Sequence, residues 1–98
     1  KITRQSIILD PGIGFGKTVK QNLSLISNIA LLHSLGCPVL LGSSRKTFIG
    51  KLDKNALEEK RLGGSLSTVI YALSQGVQVF RVHDVFETAQ AIKVFNKL

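Results

Sequence analysis

The 98-residue chain contains no methionine, no tryptophan, one cysteine, two prolines and only six acidic residues. Each scarcity excludes something. One thiol cannot close an internal bridge, which rules out a disulfide scaffold and any zinc cluster needing several thiolates; a reducing, cytoplasmic setting is expected. Two prolines against a hydrophobic content of 44% exclude a disordered chain, and about 100 residues suffice for one compact unit with a core. The apolar runs, such as Ile7-Ile8-Leu9 and Val39-Leu40-Leu41, are far below the roughly 20 residues of a membrane-spanning helix, and no signal-like start is present. No membrane partner is expected. Six Asp+Glu against 13 Lys+Arg leave a net charge of +7, which points to a polyanionic partner: nucleic acid, a membrane surface or a phosphorylated small molecule. The lack of methionine in a chain that opens on Lys1 leads us to expect a piece of something longer.

What is present has a period. Ser6–Asp10 carries Ile7-Ile8-Leu9 without polar alternation, as a parallel strand buried on both faces does, and Asp10-Pro11-Gly12 stops it. After a glycine-rich stretch, Asn22 is expected to cap a helix bearing Leu25, Ile26, Ile29 and Leu32, which Gly36 ends and Pro38 keeps from resuming. Val39-Leu40-Leu41 forms a second buried strand, cut at Gly42. Lys51–Arg61 is polar, a loop or short surface helix. Leu66, Val69, Ile70 and Leu73 then give a helical stripe closed by Gly76. A third strand begins at Val79-Phe80 and continues to Asp84, where Asp84 and Glu87 form a variant capping box for a helix ending near Leu98. The order is strand then helix, three times.

The polar strand ends recur at near-constant spacing: Asp10 to Lys46 is 36 positions (46 − 10) and Lys46 to Arg81 is 35 (81 − 46). Such units build either a three-layer open sheet or a barrel, and in both the functional residues gather at the carboxyl ends of the strands. Asp10, Lys46, Arg81 and His83 would share that rim.

Asp10-Pro-Gly-Ile-Gly-Phe-Gly-Lys17-Thr18 superficially suggests a nucleotide loop. The phosphate-loop pattern needs glycine five positions before Gly16, where Pro11 stands, and the dinucleotide fingerprint fails at Lys17. The glycines do let backbone and Phe15 pass close to a ligand. Asp10, directly after three apolar residues, should be partly desolvated and suits a ligand edge rich in N–H donors. In Gly42-Ser43-Ser44-Arg45-Lys46-Thr47, Arg45 is as well explained as a solvated loop cation. Arg81 and His83 alternate with Val82, so they should share one face while Val82 takes the other, and an arginine there suits phosphate. His33 and Cys37 read as structural. Glu58 to Arg61 is a solvated charge run, and Tyr71 and the phenylalanines other than Phe15 should serve core or helix packing. The basic residues form no stripe and interleave with no aromatics, so nucleic acid is not expected as a partner.

Taken together, Asp10-Pro-Gly-Ile-Gly-Phe-Gly-Lys, Gly42-Ser-Ser-Arg-Lys-Thr-Phe-Ile-Gly50 and Arg81-Val-His-Asp-Val-Phe-Glu-Thr88 resemble the three C-terminal signatures of the dihydropteroate synthases of the pterin-binding family. The resemblance covers essentially the whole chain, in order and spacing. It implies an α/β fold, a TIM (β/α)8 barrel of which residues 1–98 supply strands 6–8 with their helices, as the C-terminal part of a single pterin-binding domain. It implies condensation of 6-hydroxymethyl-7,8-dihydropterin diphosphate with 4-aminobenzoate to 7,8-dihydropteroate and diphosphate, in folate biosynthesis. By the same resemblance Asp10 accepts hydrogen bonds from the pterin, Phe15 lines the ring pocket and Gly42 sits beneath the ring. Lys46 contacts pterin, Thr47 stands near the aminobenzoate, Arg81 reaches the diphosphate and His83 binds the leaving phosphates. No residue is assigned a covalent or acid–base role.

Two departures from the family pattern are small: Ile13 often appears there as phenylalanine, and Thr47 replaces serine. The third is that the family's Mg2+ ligand, further pterin contacts and mobile loops belong to an N-terminal segment outside these residues. This stretch alone is therefore expected to be inactive, to need that missing barrel segment, and to form a homodimer as the family does. The rival readings are another pterin-binding barrel, such as a methyltetrahydrofolate methyltransferase, and a non-catalytic basic interaction module.

Overall fold

The computed structural model of the protein describes residues 3–98. Its regular elements run α1 (Val19–Ser27), β1 (Leu40–Leu41), α2 (Thr47–Leu52), α3 (Leu62–Ser74), β2 (Val79–Phe80) and α4 (Val85–Phe95), with 3-10 turns at Arg4–Ser6, Ile29–Leu35 and Glu58–Lys60. β1 and β2 are parallel, with Leu40 opposite Val79 and Leu41 opposite Phe80. Leu9 adds a single parallel bridge to Val39 on the other side of β1. The expected strand over Ser6–Asp10 is thus reduced to one bridged residue, and Ile8 is exposed rather than buried on both faces.

β1 lies between two partners, and Val39 and Leu41, two residues apart, point the same way into the core. They meet Ile13, Ile26, Ile29, Phe48, Ile49, Ala72 and Val77, with Val19, Leu25, Leu32 and Phe80 packed at the edge. Each large side chain fully withdrawn from water there stabilises the fold by about 1.5–3 kcal/mol. On α3 the fully buried face is Ser65, Val69 and Ala72, while Leu66, Ile70 and Leu73 of the expected stripe are half-buried.

Local chemistry explains where several boundaries depart from expectation. The first helix starts at Val19, ahead of Asn22, because Thr18 and Gln21 form a reciprocal capping box: Gln21 N donates to Thr18 Oγ1 at 3.1 Å and Thr18 N to Gln21 Oε1 at 2.9 Å. Asn22 is instead buried inside the helix. The helix then tightens into the 3-10 run, where Gly36 ends it at φ 74°. α2 takes up the residues before and into the polar segment, which then turns through Lys54 and Asn55 at positive φ. At the start of α4, Asp84 makes no side-chain cap bond. Its carboxylate is committed to Arg45, so the capping-box reading is wrong. Phe48 is core, but Phe86 is exposed on α4 rather than in the core. Tyr71 fits helix packing, its hydroxyl donating to Ser27 O at 2.9 Å. His33 is packed against Gln75 O at 3.0 Å, and Cys37 is buried. Among the described residues no helix is long and apolar enough to cross a membrane.

Candidate functional site

The site lies where the parallel register runs out. Leu40–Val79 and Leu41–Phe80 are 39 positions apart, and the offset persists beyond the ladder. Ser44 Oγ accepts from His83 N at 3.2 Å and lies 3.0 Å from His83 Nδ1. One step on, the Arg45 guanidinium donates to both Asp84 oxygens, Nε to Oδ2 at 3.1 Å and Nη2 to Oδ1 at 2.7 Å. Two loops are therefore tied side by side along the line of the sheet. Arg45 is no solvated loop cation. The forked bond to Arg45 holds the Asp84 carboxyl below the usual range and raises the Arg45 guanidinium in turn.

The remainder of the loop after β1 is anchored from α3. Arg45 N donates to Ser65 Oγ at 2.8 Å, and its carbonyl accepts from Arg61 Nη1 at 2.9 Å. Ser43, buried, shares a 2.7 Å hydrogen bond with Thr68. Arg45 sits at φ 55°, a region uncommon for a residue with a long side chain, and the turn it makes delivers Lys46 into the cleft.

The glycine loop is folded by its own side chains. Gly12, Gly14 and Gly16 all take positive φ, which only glycine adopts freely. Asp10 Oδ1 accepts from Gly12 N at 2.8 Å. Lys17 Nζ bridges the carbonyls of Gly12 and Phe15 at 2.8 and 3.0 Å. The buried Asn22 Oδ1 accepts from Gly14 N at 2.9 Å and fastens the loop to α1. The loop thereby holds Phe15 out as a wall, with Lys46 Nζ 4.4 Å from the ring centroid, within cation–π range.

Phe15, Gly42, Ser44, Lys46, Arg81, Val82 and His83 line one open cleft of about 460 Å3. Asp10 borders it through Arg81, whose Nη2 is 3.5 Å from Asp10 Oδ2. Gly42 lies beneath the guanidinium: a Cβ there would fall 2.8 Å from Arg81 Nη2. Five of the seven expected site residues thus share the cleft and Asp10 flanks it. Thr47, exposed at the first turn of α2, is not among the lining residues.

Three expectations about this site need correction. Asp10 is exposed rather than desolvated, because only one bridged residue precedes it. Arg81 is level with Gly42 in the register, not with Lys46, which lies four residues further along the loop; the near-equal spacings of 36 and 35 joined non-equivalent levels. Val82 lines the cleft alongside Arg81 and His83, because the ladder stops at Phe80 and strict alternation stops with it. Ser44, Asn22, Lys17 and the Arg45–Asp84 pair were not singled out as functional from sequence. The signal that would have found the pair is the 39-residue offset between Ser44-Arg45 and His83-Asp84.

Chemically, the cleft offers two flexible cations and an imidazole for an anion, one carboxylate for N–H donors and an aromatic wall for a planar ring. No group of three or more His, Cys, Asp or Glu that could hold a metal ion occurs among the described residues.

The comparisons with known proteins converge. Residues 1–83 match the family model described as "Pterin binding enzyme". The dihydropteroate synthase of Escherichia coli (strain K12) is 44% identical over 93 residues, which is 95% of this chain and 33% of the relative. The structure of the Xanthomonas albilineans dihydropteroate synthase in complex with 7,8-dihydropteroate overlays with a TM-score of 0.94 at 40% identity, covering 98% of this chain and 37% of that one. That of the Thermus thermophilus dihydropteroate synthase in complex with 6HMPPP gives 0.88 at 41% identity, covering 93% and 36%. The chain spans about one third of the length of the relatives it matches. These neighbours are TIM barrels, and the chain has the fold of part of one.

Proposed function

We propose that this chain, which belongs to the pterin-binding enzyme family, is the C-terminal part of a dihydropteroate synthase, joining 6-hydroxymethyl-7,8-dihydropterin diphosphate to 4-aminobenzoate. Residues 1–98 then belong to one barrel domain, with the Leu9 segment, β1 and β2 as strands 6, 7 and 8. The observation that carries the reading is the cleft itself: Phe15, Lys46 and the Arg81–His83 pair, from three separate segments, converge around Gly42 with Asp10 at the edge. The ligand of the Xanthomonas structure, 7,8-dihydropteroate, is the product this reaction would form.

In this reading the Asp10 carboxylate accepts hydrogen bonds from the donor-rich pterin edge, Phe15 walls the ring pocket, and Gly42 leaves room beneath the ring. Lys46, Arg81 and His83 surround the diphosphate. As the bond from the pterin methylene carbon to the diphosphate oxygen breaks, the leaving group takes the electron pair and its added charge falls on these donors. The aromatic amine attacks that carbon and loses a proton to solvent. The tie between the two loops fixes the backbone from which Lys46 and His83 project, which limits the reorganisation that accompanies the step. Thr47 stands on the aminobenzoate side. By the family resemblance the Mg2+ of the reaction would be held by the N-terminal barrel segment, and no step here depends on it. A homodimer in the cytoplasm completes the proposal.

The test is to replace the third of the Escherichia coli relative that the match covers with this chain. Dihydropteroate formation is then assayed for the chimera and for the 98 residues alone. The chimera should turn over and the 98 residues should not exceed background. A folded chimera without turnover, or turnover by the 98 residues alone, overturns the reading.

A further inference from the structure

Both the main chain and the side chain of Arg45 are engaged. Its backbone N donates to Ser65 Oγ, its carbonyl accepts from Arg61, and its guanidinium makes two bonds to Asp84. Its two neighbours in the chain reach the cleft: Ser44, which holds His83 by main chain and ring, and Lys46, which lies over Phe15. Asp84 in turn directly follows His83. A forked guanidinium–carboxylate pair fixes orientation as well as distance. Here its side chains are only 28% and 18% exposed, so water competes for it less than at an open surface.

We propose that Arg45 and Asp84 are positioning residues: their forked pair locks the loop after β1 to the loop after β2, so that the Lys46 ammonium and the His83 imidazole are presented to the same diphosphate. This deepens the function proposed above and rests on it. The clamp touches no substrate. Its effect is geometric, and displacing catalytic groups by about 1 Å can lower a rate by about a hundredfold. The lock should act chiefly on the step in which charge develops on the leaving group, and so on kcat more than on KM.

The experiment uses the chimera carrying Asp84→Asn, Arg45→Lys and the exchanged pair R45D with D84R. Asp84→Asn should lower kcat per folded molecule about tenfold or more, with a smaller change in KM for the pterin diphosphate, and should shift the nitrogen resonances of the His83 imidazole. Arg45→Lys should behave alike, because an ammonium cannot reproduce the fork. The exchanged pair should recover part of the rate, since aspartate tolerates the left-handed backbone at position 45 better than most residues. Activity lost only in proportion to unfolded protein, with unmoved His83 resonances, overturns the clamp. A parent chimera without turnover, in which Asp84→Asn still shifts His83, overturns the assigned reaction and leaves the clamp standing.

Discussion

Replacing Gly42 by alanine separates function from stability in this molecule. The added Cβ would lie 2.8 Å from Arg81 Nη2 and 3.4 Å from Nε and Cζ. Ordinary contact begins near 3.4 Å, so the guanidinium must retreat by about 0.6 Å at least, the difference between those two distances. Arg81 is the far end of a flexible, 62% exposed side chain, and its ion pair with Asp10 already stands at 3.5 Å. Losing an exposed pair of that kind costs less than about 1 kcal/mol, and the narrower unfolded ensemble of alanine offsets part of it. On the proposed function ligand affinity should suffer more, because the guanidinium is moved away from the place proposed for the diphosphate. We expect about tenfold weaker binding, equivalent to about 1.4 kcal/mol. Gly64→Ala is the control. There the Cβ would collide with Ile49 Cγ2, a side chain only 7% exposed in the core. Overpacking of about 1–3 kcal/mol should outweigh the gain in helix propensity and lower stability. Calorimetric titration of pterin diphosphate into each chimera, beside urea unfolding, measures both quantities. Unchanged affinity in Gly42→Ala, or a stability loss matching that of Gly64→Ala, would refute the reasoning.

Other perturbations have equally definite signs. Asn22→Ala should destabilise by about 1–3 kcal/mol, because Gly14 N–H loses its partner in a part-buried setting; urea midpoints check this, and a neutral result would show that water replaces the amide. Asp84 is held below the usual carboxylate range by its bond to Arg45, so its stabilisation is complete above the unfolded value and is lost as pH falls through the folded one. The gap in urea midpoint between parent and Asp84→Asn should therefore be full at neutral pH and close below about pH 4, and a gap that widens on acidification would contradict the ion pair. Thr18→Ala should cost about 1 kcal/mol through the capping box, read as a lower thermal midpoint.

The alternation of strand and helix and the polar groups at the strand ends were legible from apolar period and glycine punctuation. What escaped follows from interactions that local pattern does not encode. The helix start moved because Thr18 and Gln21 satisfy each other's amides, which outweighed the appeal of Asn22 as a cap. Asp84 left its cap for Arg45, 39 residues away, a partner no local window contains. Phe86 looks like core in composition, yet its place on α4 leaves it 74% exposed. The strand-end rule places Asp10, Lys46, Arg81 and His83 on one rim, and the last three do line one cleft with Asp10 at its edge. The level at which each residue enters the cleft depends on register, and the equal spacing misjudged it for Lys46.

The central claim, that the cleft recognises a pterin through Asp10, is most directly tested by titrating pterin diphosphate into the chimera and into its Asp10→Asn variant. Asparagine keeps an oxygen for Gly12 N–H, so the loop geometry made by Asp10 Oδ1 is retained. It removes the negative charge and turns one acceptor into a donor facing the ligand's own N–H groups. A charge-assisted hydrogen bond contributes about 1.5–3 kcal/mol, and an unpaired donor adds to the loss. The account predicts affinity weakened by about a hundredfold or more, with stability lowered by no more than the exposed Asp10–Arg81 pair is worth, less than about 1 kcal/mol. An Asp10→Asn chimera that binds pterin diphosphate within twofold of the parent would contradict it.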